Sequence, residues 1–221
     1  MKILIIGNQN QVAEFKLKFG DKHEYTVLND AFEDEQAFQN TEVIFDFLLD
    51  ESPDNWEMYQ HLDGIPVFVN APKIALSEQI FLNGQVSCQL FGFNGMPTFL
   101  NRELLEVSLA NKNDAPELDT ICKQLGTEFV TIEDRVGMAT PRVICMIINE
   151  AYFTVQEGTA NKEDVDLGMK LGTNYPYGPF EWASLIGINN VYELIEAVYE
   201  DTKDERYKIC PLLKKEYLAM G

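Results

Sequence analysis

The strongest constraint on this chain is a change of hydrophobic period near residue 133. Before that point short β-branched and aromatic runs alternate with helical stretches across short loops; after it the apolar residues recur at helical spacing. Alternating strands and helices need a parallel sheet covered on both faces, and a run of helices needs its own core. The pattern therefore predicts an α/β domain over residues 1–133 and an all-α domain over residues 134–221.

Lys2–Ile6 reads KILII and runs into Gly7, the form of a buried parallel strand that opens a nucleotide-binding fold. A helix is expected over Val12–Phe19, ended by Gly20, followed by strands at Glu24–Leu28 and Val43–Leu49. Asn55–Leu62 is helical in pattern, and Ile65–Val69 makes a fourth strand, with Pro66 near its start where a missing N–H is tolerated. Further strands fall at Val86–Phe93, Leu104–Leu109 and Glu128–Ile132, with a helix over Pro116–Leu125 that Gly126 ends. In the second part Thr140-Pro141 reads as an N-cap and first-turn pair, opening a helix that ends near Gly158. Asn161 caps the next helix and Gly172 stops it; Pro179 starts a third, Asn189 caps a fourth, and Cys210-Pro211 begins a fifth. The expected fold class is an α/β Rossmann-like N-terminal domain with a parallel sheet, followed by an all-α C-terminal domain.

The net charge of −19 is unevenly spread: residues 1–133 hold 8 Lys or Arg against 22 Asp or Glu, a balance of −14, and residues 134–221 hold 9 against 14, a balance of −5. Such a surface repels phosphate, so nucleic acid is not an expected partner, and it offers coenzyme A or a dinucleotide no general attraction. No apolar run reaches the roughly 18 residues of a membrane span, and MKILIIGNQ lacks a signal-peptide pattern, so the expected setting is the cytoplasm, with no membrane partner. Cys88, Cys122, Cys145 and Cys210 are widely spaced and read as reduced thiols; with only His23 and His61 besides, no metal site is expected.

The turn after the first strand sits where a dinucleotide fingerprint, G-x-G-x-x-G, belongs, but reads G-N-Q-N-Q-V. Gly7 keeps the tight turn. Gln9 holds the position where a missing side chain lets pyrophosphate approach, and Val12 the position of close helix–strand packing. Asp30, ending the second strand, fits either an acceptor for ribose hydroxyls or an ordinary turn former.

Leu171–Gly187, LGTNYPYGPFEWASLIG, carries Leu171, Gly172, Tyr175, Pro176, Gly178, Pro179, Phe180 and Glu181 in a pattern that resembles the helical domain of the NAD-dependent 3-hydroxyacyl-CoA dehydrogenases. NEAYFTVQEGTANKEDVDLGMKLG upstream and RYKICPLLKKEYLAMG downstream extend the resemblance, which is close over 134–221 and thinner before it. The proline, glycine and aromatics of YPYGPFEW set a sharp turn between helices and fill a core, or else form a functional loop; the first use has the plainer conformational reason. The stripe Val191, Leu194, Ile195 and Val198, with Tyr192 and Tyr199, serves a core or an interface.

What the resemblance implies for chemistry centres on FGFNGMPTFLNRELLEV. Phe93, Asn94 and Pro97 match the frame of the family's His-Phe-Phe-Asn-Pro strand end, and Leu105, Glu106 and Val107 match its Leu-Val-Glu-Val, so Glu106 falls on the carboxylate that orients the catalytic His. The His position itself holds Phe91. Glu106 is alternatively one acidic residue among many. The family's Ser has no counterpart in NAPKIALS before Ser77, and in D-R-V-G-M-A-T-P-R the residues Asp134, Gly137 and Arg142 match while Pro141 replaces the Asn. The long helical insertion that helps hold coenzyme A is also missing between the second and third strands. The expectation is a dehydrogenase-like protein with a degraded site, with Gly7 and Asp30 as its cofactor-binding positions and NAD bound weakly or not at all. It would act as a binding or assembly partner in fatty-acid and acyl-CoA metabolism, as a homodimer through the helical domain or a heteromer with a full-length paralogue. The alternative is a working NAD-dependent oxidoreductase on 3-hydroxyacyl-CoA, using Glu106 and Asp30 in a rearranged site.

Overall fold

Seven strands among the described residues, β1 (Lys2–Ile6), β2 (Glu24–Leu28), β3 (Val43–Asp46), β4 (Val67–Asn70), β5 (Leu90–Phe93), β6 (Leu104–Leu109) and β7 (Glu128–Ile132), form one sheet. Their order is β2-β1-β3-β4-β5-β6-β7. The computed structural model describes residues 1–220, without the Glu35 side chain. The chain divides into two compact units, Met1–Met138 and Ala139–Gly221. Asp134 and Gly137, which the sequence pattern groups with the helices, belong to the first: the Asp134 carboxylate accepts from the Leu76 and Ser77 N–H groups, and the Gly137 N–H donates to the Pro72 carbonyl.

The sheet is parallel, as expected, except at β5 and β6, which pair antiparallel. Residues 94–103 join them without a helix, and a parallel crossover needs a longer connection, usually helical. Alternate strand residues face opposite sides. One side packs Ile5, Phe45, Phe68 and Phe91 against Phe15 of α1 (Gln9–Phe19) and Ile121 of α4 (Ala115–Leu125). The other packs Leu4, Ile44 and Val67 against Tyr59 of α2 (Trp56–Gln60) and Leu76 of α3 (Leu76–Asn83).

Several boundaries shift for identifiable reasons. α1 begins at Gln9 rather than Val12, because Asn8 and Gln11 form a capping box at its start. β3 ends at Asp46 rather than Leu49: the Asp46 carboxylate accepts from the Leu48 N–H at 2.7 Å and turns the chain, while Phe47 and Leu49 stay buried off the strand. β4 runs over Val67–Asn70 and β5 starts at Leu90 rather than Val86. α3 has no local start signal; its cap is Asp134, far along the chain.

The second unit contains α5 (Thr140–Gln156), α6 (Lys162–Thr173), α7 (Pro179–Ile186), α8 (Ile188–Thr202) and α9 (Pro211–Leu218), the five helices expected. Thr140 is the first helical residue, with Ala139 in the cap position. α6 runs through Gly172 to Thr173, and Asn174, with φ of 57°, ends it. Gly187, at φ 95°, separates α7 from α8 in the place proposed for an Asn189 cap. Val191, Leu194, Ile195 and Val198 are all buried, so this stripe is core.

Candidate functional site

In an open α/β sheet, ligands bind beyond the carboxyl ends of the strands where the strand order reverses. Here that point lies between β1 and β3, and the chain's own side chains crowd it. The Asn8 side-chain oxygen accepts from the Asn10 and Gln11 N–H groups at 3.0 and 3.1 Å, and the Gln11 side-chain oxygen accepts from the Asn8 N–H at 2.8 Å. These N–H groups are the donors that a phosphate-binding helix start presents to an anion. Gly7 is needed because a Cβ there would lie 2.9 Å from the Gln11 Oε1 and 3.3 Å from Phe47. Phe47 is 1 % exposed, and its ring reaches from Gly7 to Gly95, where a Cβ would come within 2.9 Å of it. Gln9 is exposed, and Val12 packs into the core. Asp30 is exposed beyond the end of β2, where its carboxylate accepts from the Phe32 N–H at 2.8 Å; in this structure it forms a turn.

The segment after β5 is bound to α1. The half-buried Glu14 carboxylate accepts from the Thr98 N–H at 3.1 Å and the Asn101 N–H at 3.3 Å, and the Lys18 ammonium donates to the Arg102 carbonyl. Burial pushes the Glu14 carboxyl above its ordinary value despite these bonds. Asn70, at the end of β4, accepts from the Gly95 N–H at 2.9 Å. The segment is thereby held from two sides.

Phe91 has no exposure. It is the third rung of a phenylalanine ladder across β3, β4 and β5, with Phe45 and Phe68 centroids 4.6 Å apart and Phe68 and Phe91 4.8 Å apart. Glu106 is buried at 7 % exposure on β6, and its carbonyl accepts from the Asn94 N–H. The Asn94 side-chain oxygen is buried with no hydrogen-bond partner. Two further buried carboxylates lie at the end of β3 and just after it. Asp46 accepts from the Tyr59 hydroxyl at 2.7 Å and the Asn55 amide at 3.1 Å, with burial raising its pKa. Asp50 faces Lys73 at 3.4 Å, and burial pushes it to about 6 against the pull of that ammonium.

In the helical unit the YPYGPFEW turn is structural. Asp166 of α6 accepts from the Phe180 and Glu181 N–H groups at 2.8 and 3.1 Å, capping α7 from a neighbouring helix. Gly178 leaves room for it, since a Cβ there would lie 2.3 Å from the Asp166 Cγ. Lys170 and Glu181 pair at 2.9 Å, and Tyr175 and Tyr177 set their rings against Trp182. A cleft of about 560 Å³ lies in the first unit, bordered by Ser77, Leu109, Lys112, Thr131 and Asp134. The β5–β6 register puts Leu109 level with Phe91 at the amino end of β5, away from the strand-end crevice. Among the described residues no group of three or more His, Cys, Asp or Glu could hold a metal, and no helix is long and apolar enough to cross a membrane. Sequence reasoning passed over Asn8, Gln11, Phe47 and Asn70. The Asn8-x-x-Gln11 spacing was the available signal for the first two; nothing local marks the others.

A doubly wound α/β unit is followed by a five-helix unit. Residues 137–220 match the family described as "3-hydroxyacyl-CoA dehydrogenase, C-terminal domain". A 3-hydroxyadipyl-CoA dehydrogenase of Escherichia coli K12 is 40 % identical over 96 residues, 43 % of this chain and 20 % of that protein. A probable 3-hydroxybutyryl-CoA dehydrogenase of Bacillus subtilis 168 is 32 % identical over 128 residues, 58 % of this chain and 44 % of the relative. The fold matches a crystal structure of (S)-3-hydroxybutyryl-CoA dehydrogenase from Ralstonia eutropha with a TM-score of 0.76 at 19 % identity, covering 99 % of this chain and 94 % of that one. Residues 137–220 thus match the C-terminal domain of the 3-hydroxyacyl-CoA dehydrogenases, and the chain as a whole resembles that family. Its sequence match spans less than half the length of these two curated relatives. The residues at its crevice do not fit the pyrophosphate of a dinucleotide, because Gln11 and Asn8 already take the donors and Phe47 takes the space.

Proposed function

We propose that this chain is a 3-hydroxyacyl-CoA dehydrogenase-like protein that has kept the family fold and lost its dehydrogenase chemistry. It acts as a binding or assembly partner in fatty-acid and acyl-CoA metabolism, in the cytoplasm, with NAD bound weakly or not at all. The observation that carries this reading is Phe91. The resemblance puts the catalytic base at that position, and the side chain there is a fully buried rung of an aromatic ladder. A phenyl ring accepts no proton, and general acid–base help is typically worth ~100- to 10,000-fold. The absence of any helical insertion between β2 and β3, where only a 3-10 turn at Glu35–Asn40 stands, further removes the family's means of holding coenzyme A. Association is assigned to the helical unit, which carries −5 against −14 for residues 1–133 and so repels a second copy less. Leu167 and Leu171, exposed at 54 % and 79 % on one face of α6, supply apolar surface for a homodimer or for a full-length paralogue.

The purified chain is expected to produce no NADH from 3-hydroxybutyryl-CoA and NAD above background, and to scatter light as a dimer at tens of micromolar. Steady NADH production that disappears in Glu106→Gln would instead favour a rearranged oxidoreductase. The buried Glu106 and the orphaned oxygen of Asn94 are what support that second reading. A monomer under the same conditions would remove the homodimer and leave the paralogue as partner.

A further inference from the structure

We propose that this chain supplies its own occupant for the dinucleotide crevice: the Gln11 amide and the Phe47 ring act as an internal plug that holds the β1–β3 switch point shut. The inference rests on the closed-site reading above and names the residues that do the closing. They are not the ones that the fingerprint mismatch marks. Gln9, at the second glycine position, is exposed, and Val12, at the third, is turned into the core beside Phe15.

Two separate contacts make the plug. The Gln11 amide oxygen stands over Gly7, 2.9 Å from where a Cβ would be, and accepts from the Asn8 N–H at 2.8 Å. It serves as a hydrogen-bond acceptor at the place where a phosphate oxygen would accept. Asn8 does the same for the Asn10 and Gln11 N–H groups. Phe47 comes from the other side of the switch point. Its own N–H donates to the Ile6 carbonyl at 2.8 Å, which fixes its backbone beside β1, and its ring packs on Phe93 with centroids 5.0 Å apart and against Gly95. Asn70 holds Gly95 by its N–H, and Glu14 holds the following segment to α1, so the wall behind the ring is fastened too. A ligand entering here has to displace satisfied donors and a buried ring together.

The test uses the full chain and NADH as the probe, followed by fluorescence titration and by thermal melts with and without NADH. Gln11→Ala removes the acceptor and leaves the Asn8 cap; Phe47→Ala opens the space. The double variant is expected to melt lower than wild type without ligand, to bind NADH at least tenfold more tightly, and to recover part of its melting temperature when NADH is added. Gln9→Gly is expected to change neither. Should Phe47→Ala fail to fold, Gln11→Ala combined with Phe47→Leu is expected to move affinity in the same direction by less. A wild-type chain that binds NADH at micromolar affinity overturns the closed-site reading and the plug with it. A silent wild type whose folded plug variants remain silent, or a Gln9→Gly variant that gains as much as they do, overturns the plug alone.

Discussion

The N-termini of α1 and α7 meet the same requirement in opposite ways. Both starts need acceptors for unpaired N–H groups. α1 finds them within its own first turn, from Asn8 and Gln11. α7 takes them from Asp166 on another helix, across a glycine that exists to let it in. The first solution satisfies the donors that would meet an anion, and it joins nothing to anything else. The second ties two helices together. This contrast runs parallel to the uneven match between the chain and its relatives. Gly178, Pro179 and Glu181 of the helical motif take part in a joint between two helices, whereas the residues missing from the α/β motif are those to which the family resemblance gives chemical roles, and the sheet closes without them. Phe91 goes further, since it contributes packing where the family resemblance calls for a base.

The sharpest way to break the contrast is at Phe91. Phe91→Ala is expected to cost ~3–5 kcal/mol in urea unfolding, the range for a fully buried aromatic. Phe91→His is expected to destabilise strongly as well, because an imidazole set in a phenylalanine ladder has no hydrogen-bond partner there, and to yield no NADH from 3-hydroxybutyryl-CoA. A histidine variant as stable as wild type would show that this position is not committed to packing, and the division between architecture and chemistry would fall with it.

A second difference is electrostatic, and it predicts opposite responses to acid. Burial raises Asp50 from an ordinary 3.8 to about 6, so its folded pKa exceeds its unfolded one. A group of that kind binds its proton more tightly when folded: its contribution to stability is fully present below the unfolded pKa and is lost as pH rises through about 6. At about 1.4 kcal/mol per pH unit the swing is ~3 kcal/mol. In the helical unit, burial pushes Glu216 up, but the Lys162 ammonium and the Tyr152 hydroxyl outweigh it and hold the carboxyl below 4.5. Its stabilisation is present above 4.5 and is lost as pH falls through its lower folded value. Unfolding measured from pH 7 to pH 3.5 is expected to lose a component that strengthens the fold between pH 6 and 4 in Asp50→Asn, and one that weakens it below 4.5 in Glu216→Gln. Identical pH profiles for wild type and Asp50→Asn would mean that the Lys73 pairing keeps Asp50 near its ordinary value.

The smallest expected effects sharpen the joint itself. Asp166→Ala should cost ~1–2 kcal/mol as a lost helix cap. Gly178→Ala should cost a similar amount, about 1–2 kcal/mol, by forcing a methyl against that carboxylate, since the built Cβ falls 2.3 Å from the Asp166 Cγ. Because the two residues are in contact, the double variant should lose less than the sum of the single losses. Additive losses would mean that the glycine is there for its backbone alone.

What depends on a few neighbouring residues is legible in the chain before it folds. The alternation of strands and helices, the five helices of the second part, the Asn161 cap and the departures from the glycine fingerprint all follow from local spacing and from what each side chain can donate or accept. Even the Asn8–Gln11 cap was written there, in a spacing of three. Tertiary structure alone decided the antiparallel pairing of β6, the placing of α3 under Asp134, the assignment of the Val191–Val198 stripe to the core, and the meeting of Phe47 with Gly7 and Gly95. Those contacts join residues tens of positions apart. Their geometry is set by the order and hand of the assembled strands, and no local period in the chain records which distant ring will fill the space beside a glycine.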